Sequence, residues 1–242
     1  MRNFEFEINN RIEFIRSMLA DAHANGIVFG NSGGKDSALV GILCKRACDN
    51  TVGLIMPCES KQNYGADKTD AESVAKRFDI AVRVIELSDV KSILSGVIGE
   101  KTQLTEAALT NMTPRLRMTT LYAVAASENR LVAGTGNRSE GYMGYFTKWG
   151  DGAFDFNPIA DLTVTEIYDF LRYFSAPDCI INKAPSAGLY DGQTDESEMG
   201  VTYKSIDNFL LNGTTNEIDR IIIEKHNKAS AHKRNMPPTF ES

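Results

Sequence analysis

GIVFGNSGGKDSALVGILC, residues 26–44, decides the fold of this chain. The apolar run Gly26–Asn31 predicts a short strand, and the residues from Asp36 to Cys48 have the apolar spacing of a helix. Between them lies a glycine turn. It differs from a Walker A loop, G-x-x-x-x-G-K-[ST], because its glycines are one residue too close and Lys35 precedes an aspartate. A strand, a glycine turn and a helix together predict an anion site at the helix N-terminus.

The rest of the chain alternates strands and helices in the same way. Three more strands are predicted from short apolar runs, at Thr51–Pro57, Ile80–Leu87 and Arg130–Thr135. The predicted helices are Ile8–Ala24, Asp67–Phe78, one starting at Ser88, Arg115–Ser127, Val164–Phe174, Tyr203–Leu211 and Asn216 to about Arg234. This order predicts an α/β fold, a mostly parallel twisted sheet with helices on both faces, in one domain spanning residues 1–242.

Composition is that of an ordinary globular protein. The 242 residues are 42% hydrophobic and 24% charged, with a formal charge of -6, which argues against a broad nucleic-acid-binding surface. No apolar run approaches the roughly 18 residues of a membrane span. The N-terminus, MRNFEFEINN, lacks the apolar segment of a secretory signal. The four cysteines and three histidines form no zinc pattern, so we expect a cytoplasmic protein with reduced thiols.

The chemistry of the glycine turn explains its aspartate. Backbone N–H groups at Gly33 and Gly34, with the helix N-terminus behind them, favour an anion. The hydroxyls of Ser32 and Ser37 add two possible donors. A carboxylate at Asp36 would be repelled by a bare phosphate, but it is a suitable ligand for Mg2+ that accompanies phosphates. The turn therefore predicts a site for a magnesium-bound phosphate.

The motif SGGKDS, residues 32–37, resembles the pyrophosphate loop of the N-type ATP pyrophosphatases, whose fold is Rossmann-like and is called adenine nucleotide α-hydrolase-like. Four more blocks resemble the NAD synthetases of that superfamily: residues 115–125 (RLRMTTLYAVA), 131–162 (LVAGTGNRSEGYMGYFTKWGDGAFDFNPIADL), 183–203 (KAPSAGLYDGQTDESEMGVTY) and 232–238 (HKRNMPP). The resemblance implies an amide-forming ligase. ATP adenylates the nicotinate carboxylate of deamido-NAD, pyrophosphate leaves, and ammonia then displaces AMP.

The resemblance also implies a role for residues in each block. It places ATP at Ser32, Gly33, Gly34, Lys35, Asp36, Ser37, Thr135 and Ser186. It assigns magnesium to Asp36 and Glu140, and catalysis to Asp36, Glu140 and Lys148. It assigns deamido-NAD to Arg115, Tyr145, Lys148, Asp151, Asp155, Glu198, His232 and Lys233. Arg117 is expected only to pair with carboxylates.

Two departures from the family pattern affect the ATP site. The family usually has a lysine in a block reading NPIGDLYKT, and this chain reads NPIADLTVT with Val164 at that place. Losing one charged partner of the phosphates costs on the order of 2–3 kcal/mol. We expect Lys35 or Lys61 to supply the missing charge, or ATP to bind more weakly. The second departure is residues 58–71, CESKQNYGADKTDA, where the adenine contacts are not assigned.

Four alternatives stay open beside this interpretation. They are a family member with weakened activity, an amidotransferase of the GMP synthetase type, a tRNA-thiolating relative and a non-catalytic nucleotide-binding regulator. The long family blocks argue against the second. The third needs matching reactive cysteines and positive charge, which are not evident. The fourth would keep the glycine loop but would not need the carboxylates of the lids.

Length and loops add three expectations. Residue 26 already begins the first strand, so no room is left for a glutaminase or amidase domain, and we expect free ammonia as the nitrogen donor. The stretches 136–162 and 182–200 are long enough to be substrate-binding lids. The resemblance implies a homodimer, for which the amphipathic stretch with Met112, Leu116, Leu121 and Tyr122 offers weak support.

Overall fold

The computed structural model of this chain describes residues 3–59, 65–183, 185 and 194–240. Within these residues four strands pair in parallel in the order β3-β2-β1-β4. The strands are β1 Gly26–Gly30, β2 Thr51–Ile55, β3 Ala81–Val84 and β4 Arg130–Ala133. The predicted parallel sheet is therefore confirmed.

Helices connect and cover the strands. They are α1 Phe4–Asp21, α2 Lys35–Ala47, α3 Ala66–Arg77, α4 Ser88–Gly99, α5 Glu106–Glu128, α6 Arg138–Met143, α7 Val164–Tyr173, α8 Asp178–Ile181, α9 Asp195–Met199, α10 Tyr203–Asn212, α11 Glu217–Ala229 and α12 Ala231–Arg234. The short helices α6 and α9 lie within the two long stretches for which no secondary structure was predicted. The predicted C-terminal helix is divided at Ser230 into α11 and α12.

The predicted start of α5 at Arg115 was wrong. The helix begins at Glu106, where the Thr105 hydroxyl oxygen accepts from the Ala108 N–H at 3.2 Å and caps the first turn. Pro114 lies inside the helix and is buried. A proline usually marks a helix boundary because it lacks the N–H of the helical bond, and this is why the sequence pattern favoured a start just after it.

Side chains of β1 alternate between two apolar clusters, one on each face of the sheet. Ile27 and Phe29 pack in the cluster that includes residues of α1, α2 and α7. Val28 packs in the other cluster, with residues of β2, β4 and α5. Successive strand side chains point to opposite faces, so a central strand covered on both sides is apolar throughout. Helices on both faces are thereby confirmed.

The carboxyl ends of β1 and β4 place two loops side by side. Their register pairs Phe29 with Ala133. The Asn31 N–H donates to the Leu54 carbonyl at 2.8 Å, which continues the hydrogen bonding to β2 past the end of β1. A crevice at the carboxyl edge of a parallel sheet is the usual ligand site of such folds.

Two further expectations concern the thiols and membrane insertion. All four cysteines are free thiols, and Cys44 and Cys58 are buried. Among the described residues, no helix combines the length and the apolar character that a bilayer crossing requires.

The substitution Leu171→Ala should lower the free energy of unfolding by about 2–5 kcal/mol. Leu171 is fully buried in α7, so its truncation removes packing contacts and leaves a cavity in the core. Leu211→Ala is the matched control. Leu211 is 46% exposed in α10, so its truncation should cost about 1 kcal/mol or less. Urea unfolding at equilibrium measures both, and equal losses would contradict the packing described here.

Candidate active site

The phosphate-loop candidate is a tight turn that requires glycine at one position. Gly33 has a φ of 72°, and a Cβ there would lie 2.1 Å from the backbone oxygen of Asp67. The Ser32 hydroxyl accepts from the Gly34 N–H at 3.3 Å and lies 3.1 Å from the Ser37 hydroxyl. Gly34 has an extended backbone and directly precedes α2. The turn therefore presents the N-terminus of α2 and its serine hydroxyls to an anion.

This N-terminus opens into a cavity of about 450 Å³ at the carboxyl edge of the sheet. Its apolar lining includes Leu54, Met56, Met118 and Leu121, which suits an aromatic ring. The fold brings residues from all five predicted blocks to this one cavity. The predicted site residues in its lining are Ser32, Gly34, Lys35, Asp36, Ser37, Thr135, Glu140, Tyr145, Asp151, Glu198 and Lys233.

Asn137 holds the two carboxylates that were predicted to bind magnesium. Its side-chain amide donates to Asp36 Oδ1 at 3.0 Å, and its backbone N–H donates to Glu140 Oε2 at 3.3 Å. Its side-chain oxygen accepts from the Glu140 N–H at 2.9 Å and caps α6. The Nζ of Lys35 lies 2.8 Å from Asp36 Oδ2 and 3.7 Å from Glu140 Oε1. The ammonium thus lies between the two carboxylates.

Charges in this cluster shift each other's titration. Burial and the nearby Asp36 raise the pKa of Glu140 to about 8, against the opposing effect of Lys35, and Asp195 adds to the rise. Burial alone would lower the pKa of Lys35, but Asp36 and Glu140 outweigh it and the pKa is raised. The cluster is therefore short of positive charge.

The donor set fits magnesium. Mg2+ is usually bound by one or two carboxylates together with substrate phosphates and waters, rather than by a cage of protein ligands. Asp36 and Glu140 supply two carboxylates beside the anion site. In the described part of the chain, no group of three or more His, Cys, Asp or Glu side chains is arranged to hold a metal.

Two tyrosine hydroxyls donate hydrogen bonds to carboxylates on another side of the cavity. The Tyr203 hydroxyl donates to Asp195 Oδ2 at 2.9 Å, and the Tyr145 hydroxyl donates to Glu198. Burial raises the pKa of both tyrosines, and the carboxylates add to the effect. The Lys35 ammonium lies over the Tyr203 ring, 5.4 Å from its centroid. Both hydroxyls therefore stay protonated at neutral pH, and stacking of Tyr145 on the nicotinate ring stays a prediction.

A second charged group surrounds Asp151. Burial raises the pKa of Asp151, although the Thr147 N–H donates to its carboxylate at 2.9 Å. Arg117 is half-buried and donates from Nε to the Met56 carbonyl at 3.1 Å. Lys233 donates to the carbonyls of Gly144 and Phe146, at 2.9 Å each. Burial lowers the pKa of both Arg117 and Lys233.

Four predicted substrate residues do not line this cavity. Arg115 Nε donates to the Lys148 carbonyl at 3.3 Å, and Lys148 Nζ donates to the His232 carbonyl at 2.7 Å. Asp155 accepts from the Val132 N–H at 2.7 Å and from the Tyr122 hydroxyl at 3.1 Å. A role for Arg115, Lys148, Asp155 and His232 in binding deamido-NAD stays a prediction. Ser186 and Lys61 lie outside the described residues.

Val164, the first residue of α7, is buried in an apolar cluster and brings no charge to the site. The cluster includes Met143, Met199 and Tyr203. The same Tyr203 ring lies below the Lys35 ammonium. Lys35 was one of the two residues predicted to replace the charge of the family lysine. It lines the cavity, beside this cluster.

Sequence reasoning missed three residues of the site. Asn137 and Arg117 were not assigned to it, although each belongs to a recognised block. Lys183 begins the block KAPSAG, and its Nζ donates to the Gly33 carbonyl at 3.1 Å and to the carboxylates of Asp67 and Asp70 at 2.8 and 2.7 Å. It holds the phosphate loop to α3. For Asn137 the available signal was the capping-box spacing of Asn137 and Glu140.

The substitution Gly33→Ala should lower the free energy of unfolding by about 2–4 kcal/mol, because the new Cβ meets the Asp67 backbone and the residue needs a left-handed conformation. Gly141→Ala is the control, since a Cβ there meets nothing within 4 Å and α6 gains about 0.5–1 kcal/mol of helix preference. Urea unfolding compares the two variants. A neutral Gly33→Ala would contradict the turn described here.

Comparison with known proteins identifies the family. The NAD synthase family model matches residues 7–237. A relative from Carboxydothermus hydrogenoformans named NH(3)-dependent NAD(+) synthetase is 44% identical over 238 residues, 97% of each chain. Among solved structures, the NMN synthetase from Francisella tularensis superposes with a TM-score of 0.94 at 35% identity, and the NH3-dependent NAD synthetase from Campylobacter jejuni with 0.80 at 31%, each covering 100% of both chains. The predicted family is confirmed, and the chain belongs to the NAD synthase family.

Proposed function

We propose that this chain is an ammonia-dependent NAD synthetase. It adenylates the nicotinate carboxylate of deamido-NAD with ATP, releases pyrophosphate, and lets ammonia displace AMP to form the amide. The observation that carries the proposal is the Asp36–Glu140 carboxylate pair beside the N-terminus of α2, in a cavity lined by residues from every family block. The names of the relatives support both the reaction and ammonia as the donor.

The chain's own residues account for the binding of the leaving group. The hydroxyls of Ser32 and Ser37 and the N-terminus of α2 bind the β and γ phosphates. Lys35 contributes a positive charge beside them. Asp36 and Glu140 would hold Mg2+, which when bound neutralises phosphate charge and makes pyrophosphate a better leaving group.

Activation is needed because a carboxylate is a poor acyl donor. Its leaving group would be oxide, whereas AMP leaves from the adenylate as a stable phosphate monoester. The adenylate must also be kept from water until ammonia arrives. The apolar lining at Leu54, Met56, Met118 and Leu121 excludes water from this end of the cavity. The residues near Asp151 and Tyr145 then hold the nicotinate end of the second substrate.

A second candidate differs in that substrate. The closer superposition is with the Francisella NMN synthetase, and an enzyme that forms NMN by amidation starts from nicotinate mononucleotide. Lys148 and Asp155, which were predicted to bind the dinucleotide, have protein partners outside the cavity. Both observations favour a mononucleotide substrate, whereas the curated relatives favour deamido-NAD.

Product analysis separates the two candidates. Purified protein is incubated with ATP, Mg2+ and saturating ammonium, together with deamido-NAD or nicotinate mononucleotide at equal concentration. We expect NAD and pyrophosphate in equal amounts, with a higher kcat/KM for deamido-NAD. A higher kcat/KM for the mononucleotide would establish the second candidate. No amide from either substrate would overturn the proposed function, and turnover with glutamine alone would overturn ammonia as the direct donor.

Neutralising either proposed metal ligand should slow the reaction. We expect Asp36→Asn and Glu140→Gln each to lower kcat/KM by about 100-fold or more, a loss comparable to that of one electrostatic partner of a transition state. Asp49→Asn and Glu224→Gln are matched controls, because both side chains are exposed and neither lines the cavity. Pyrophosphate release measures the rate, and circular dichroism shows that each variant is folded. Full activity of Asp36→Asn would contradict the metal role.

We also propose that the protein is a homodimer, with a second copy covering α4 and β3. No residue of α4 is buried against the described part of the chain, although Val90, Ile93, Leu94 and Val97 are apolar. The edge strand β3, which precedes α4 along the chain, also has the exposed apolar residues Val82 and Val84. An exposed apolar patch next to a sheet edge marks an interaction surface, and a two-fold copy is the commonest partner.

The double substitution Ile93→Asp and Val97→Asp should give a monomer, because these side chains, 68% and 60% exposed, would place charge in the covered surface. Ile218→Asp is the control, since Ile218 is 72% exposed and belongs to α11, which is not part of the proposed interface. Sedimentation velocity measures the mass of each variant. A monomeric unmodified protein would contradict the proposal. Of the residues first expected at the interface, Leu121 is buried in the core and Tyr122 is partly exposed.

A further inference from the structure

Lys35 is a buried lysine at the first residue of α2, where a helix N-terminus disfavours positive charge. Its position is explained by what surrounds the ammonium. Asp36 Oδ2 lies at 2.8 Å, Glu140 Oε1 at 3.7 Å, and the Tyr203 ring centroid at 5.4 Å. Two carboxylates and an aromatic face together make a favourable cation position.

The Lys35 ammonium lies against the carboxylate oxygens that do not accept a hydrogen bond from Asn137. Asn137 binds Asp36 Oδ1 and Glu140 Oε2, while Lys35 lies against Asp36 Oδ2 and Glu140 Oε1. Each carboxylate is thus held by one oxygen and presents the other to a cation. A metal ion bridging the pair would need the oxygens that Lys35 contacts.

The ammonium and a divalent cation exclude each other at this position. The Lys35 ammonium lies 2.8 Å from Asp36 Oδ2 and 3.7 Å from Glu140 Oε1. Mg2+ binds carboxylate oxygen at about 2.0–2.1 Å, so a metal held by these two oxygens would lie within a few ångströms of the ammonium and repel it. Moving it without a new anionic partner leaves a buried, unpaired charge, which is strongly unfavourable. The phosphates of a nucleotide at the neighbouring N-terminus of α2 are such a partner.

We propose that the Lys35 ammonium holds the cation position of the Asp36–Glu140 pair in the nucleotide-free protein, and thereby makes magnesium binding depend on ATP. This inference rests on the proposed ATP site. Nucleotide phosphates draw the ammonium away from the carboxylates, and the metal takes the vacated oxygens. Lys35 then supplies the positive charge beside the phosphates. The family's lysine would supply this charge from the position that Val164 occupies at the start of α7. Because coupling of two ligands is reciprocal, metal and nucleotide each strengthen the binding of the other.

Calorimetric titration of Mg2+ tests the inference, with the protein alone and with the non-cleavable analogue α,β-methylene-ATP. Lys35→Gln and Lys35→Met remove the ammonium in two ways, so the test stands if either variant folds. Charge-assisted hydrogen bonds are worth about 1.5–3 kcal/mol, so without nucleotide we expect Mg2+ to bind either variant about 10-fold or more tightly than it binds the unmodified protein. The increase in metal affinity on adding the analogue should shrink by a similar factor.

Lys45→Met is the matched control. Lys45 lies on the same helix and pairs with the exposed carboxylates of Asp49 and Asp79, so its loss removes the same charge away from the site. We expect it to leave magnesium affinity at the level of the unmodified protein. An equal gain in Lys45→Met would show a general effect of charge and would overturn the inference.

The remaining outcomes separate the inference from the proposed function. If Mg2+ binds the unmodified protein with the analogue, and the Lys35 variants without nucleotide bind it no more tightly than the unmodified protein does, the inference fails and the metal site stands. If Mg2+ binds none of these proteins even with the analogue, the proposed metal site itself fails. Thermal melting with Mg2+ alone provides a second readout, because a ligand bound only to the native state raises the melting temperature.

Discussion

Asn137 connects, through hydrogen bonds, the two loops that follow the carboxyl ends of β1 and β4. The geometry of the site depends on these hydrogen bonds. Asn137 donates to Asp36 at the start of α2 and to Glu140 in α6, and its own oxygen caps α6. The residue is buried, so each lost bond would leave a polar group unpaired at a cost of roughly 1–3 kcal/mol. The spacing of the two carboxylates, and the position of Lys35 between them, therefore depend on one residue, through both its side chain and its backbone N–H.

Most of the fold could be predicted from the sequence because its signals are local. Strands β1, β2 and β4 are short apolar runs bounded by polar or turn residues, and their order with the helices implies a parallel sheet. The failures are local as well. Pro114 has the usual sequence signal of a boundary but lies inside α5, and α6 is too short for its periodicity to be recognised. Pro114 is buried, so packing stabilises α5 around it, whereas α6 is stabilised locally by the capping box of Asn137 and Glu140.

The site was predictable only as far as the resemblance to a family extends. Asp36 and Glu140 were assigned from recognised blocks, and both line the cavity. Their common partner Asn137 was not, because it meets Asp36 across 101 residues of chain. Lys183 meets Asp67 across 116 residues. Contacts over such separations follow from how the strand-end loops approach each other, and single-sequence patterns contain no information on that approach.

Charge balance explains why a carboxylate stands beside a phosphate site. Asp36 and Glu140 flank one buried ammonium, Asp195 adds negative charge nearby, and burial together with Asp36 raises the pKa of Glu140 to about 8. A bare triphosphate would bring further negative charge into a cavity already short of positive charge. When a nucleotide arrives with its metal, the metal offsets two of the phosphate charges, and Lys35 is released to face the phosphates. On the proposed mechanism, the same carboxylates that oppose free pyrophosphate favour the metal-bound form, so the site distinguishes its ligands by the cation they carry.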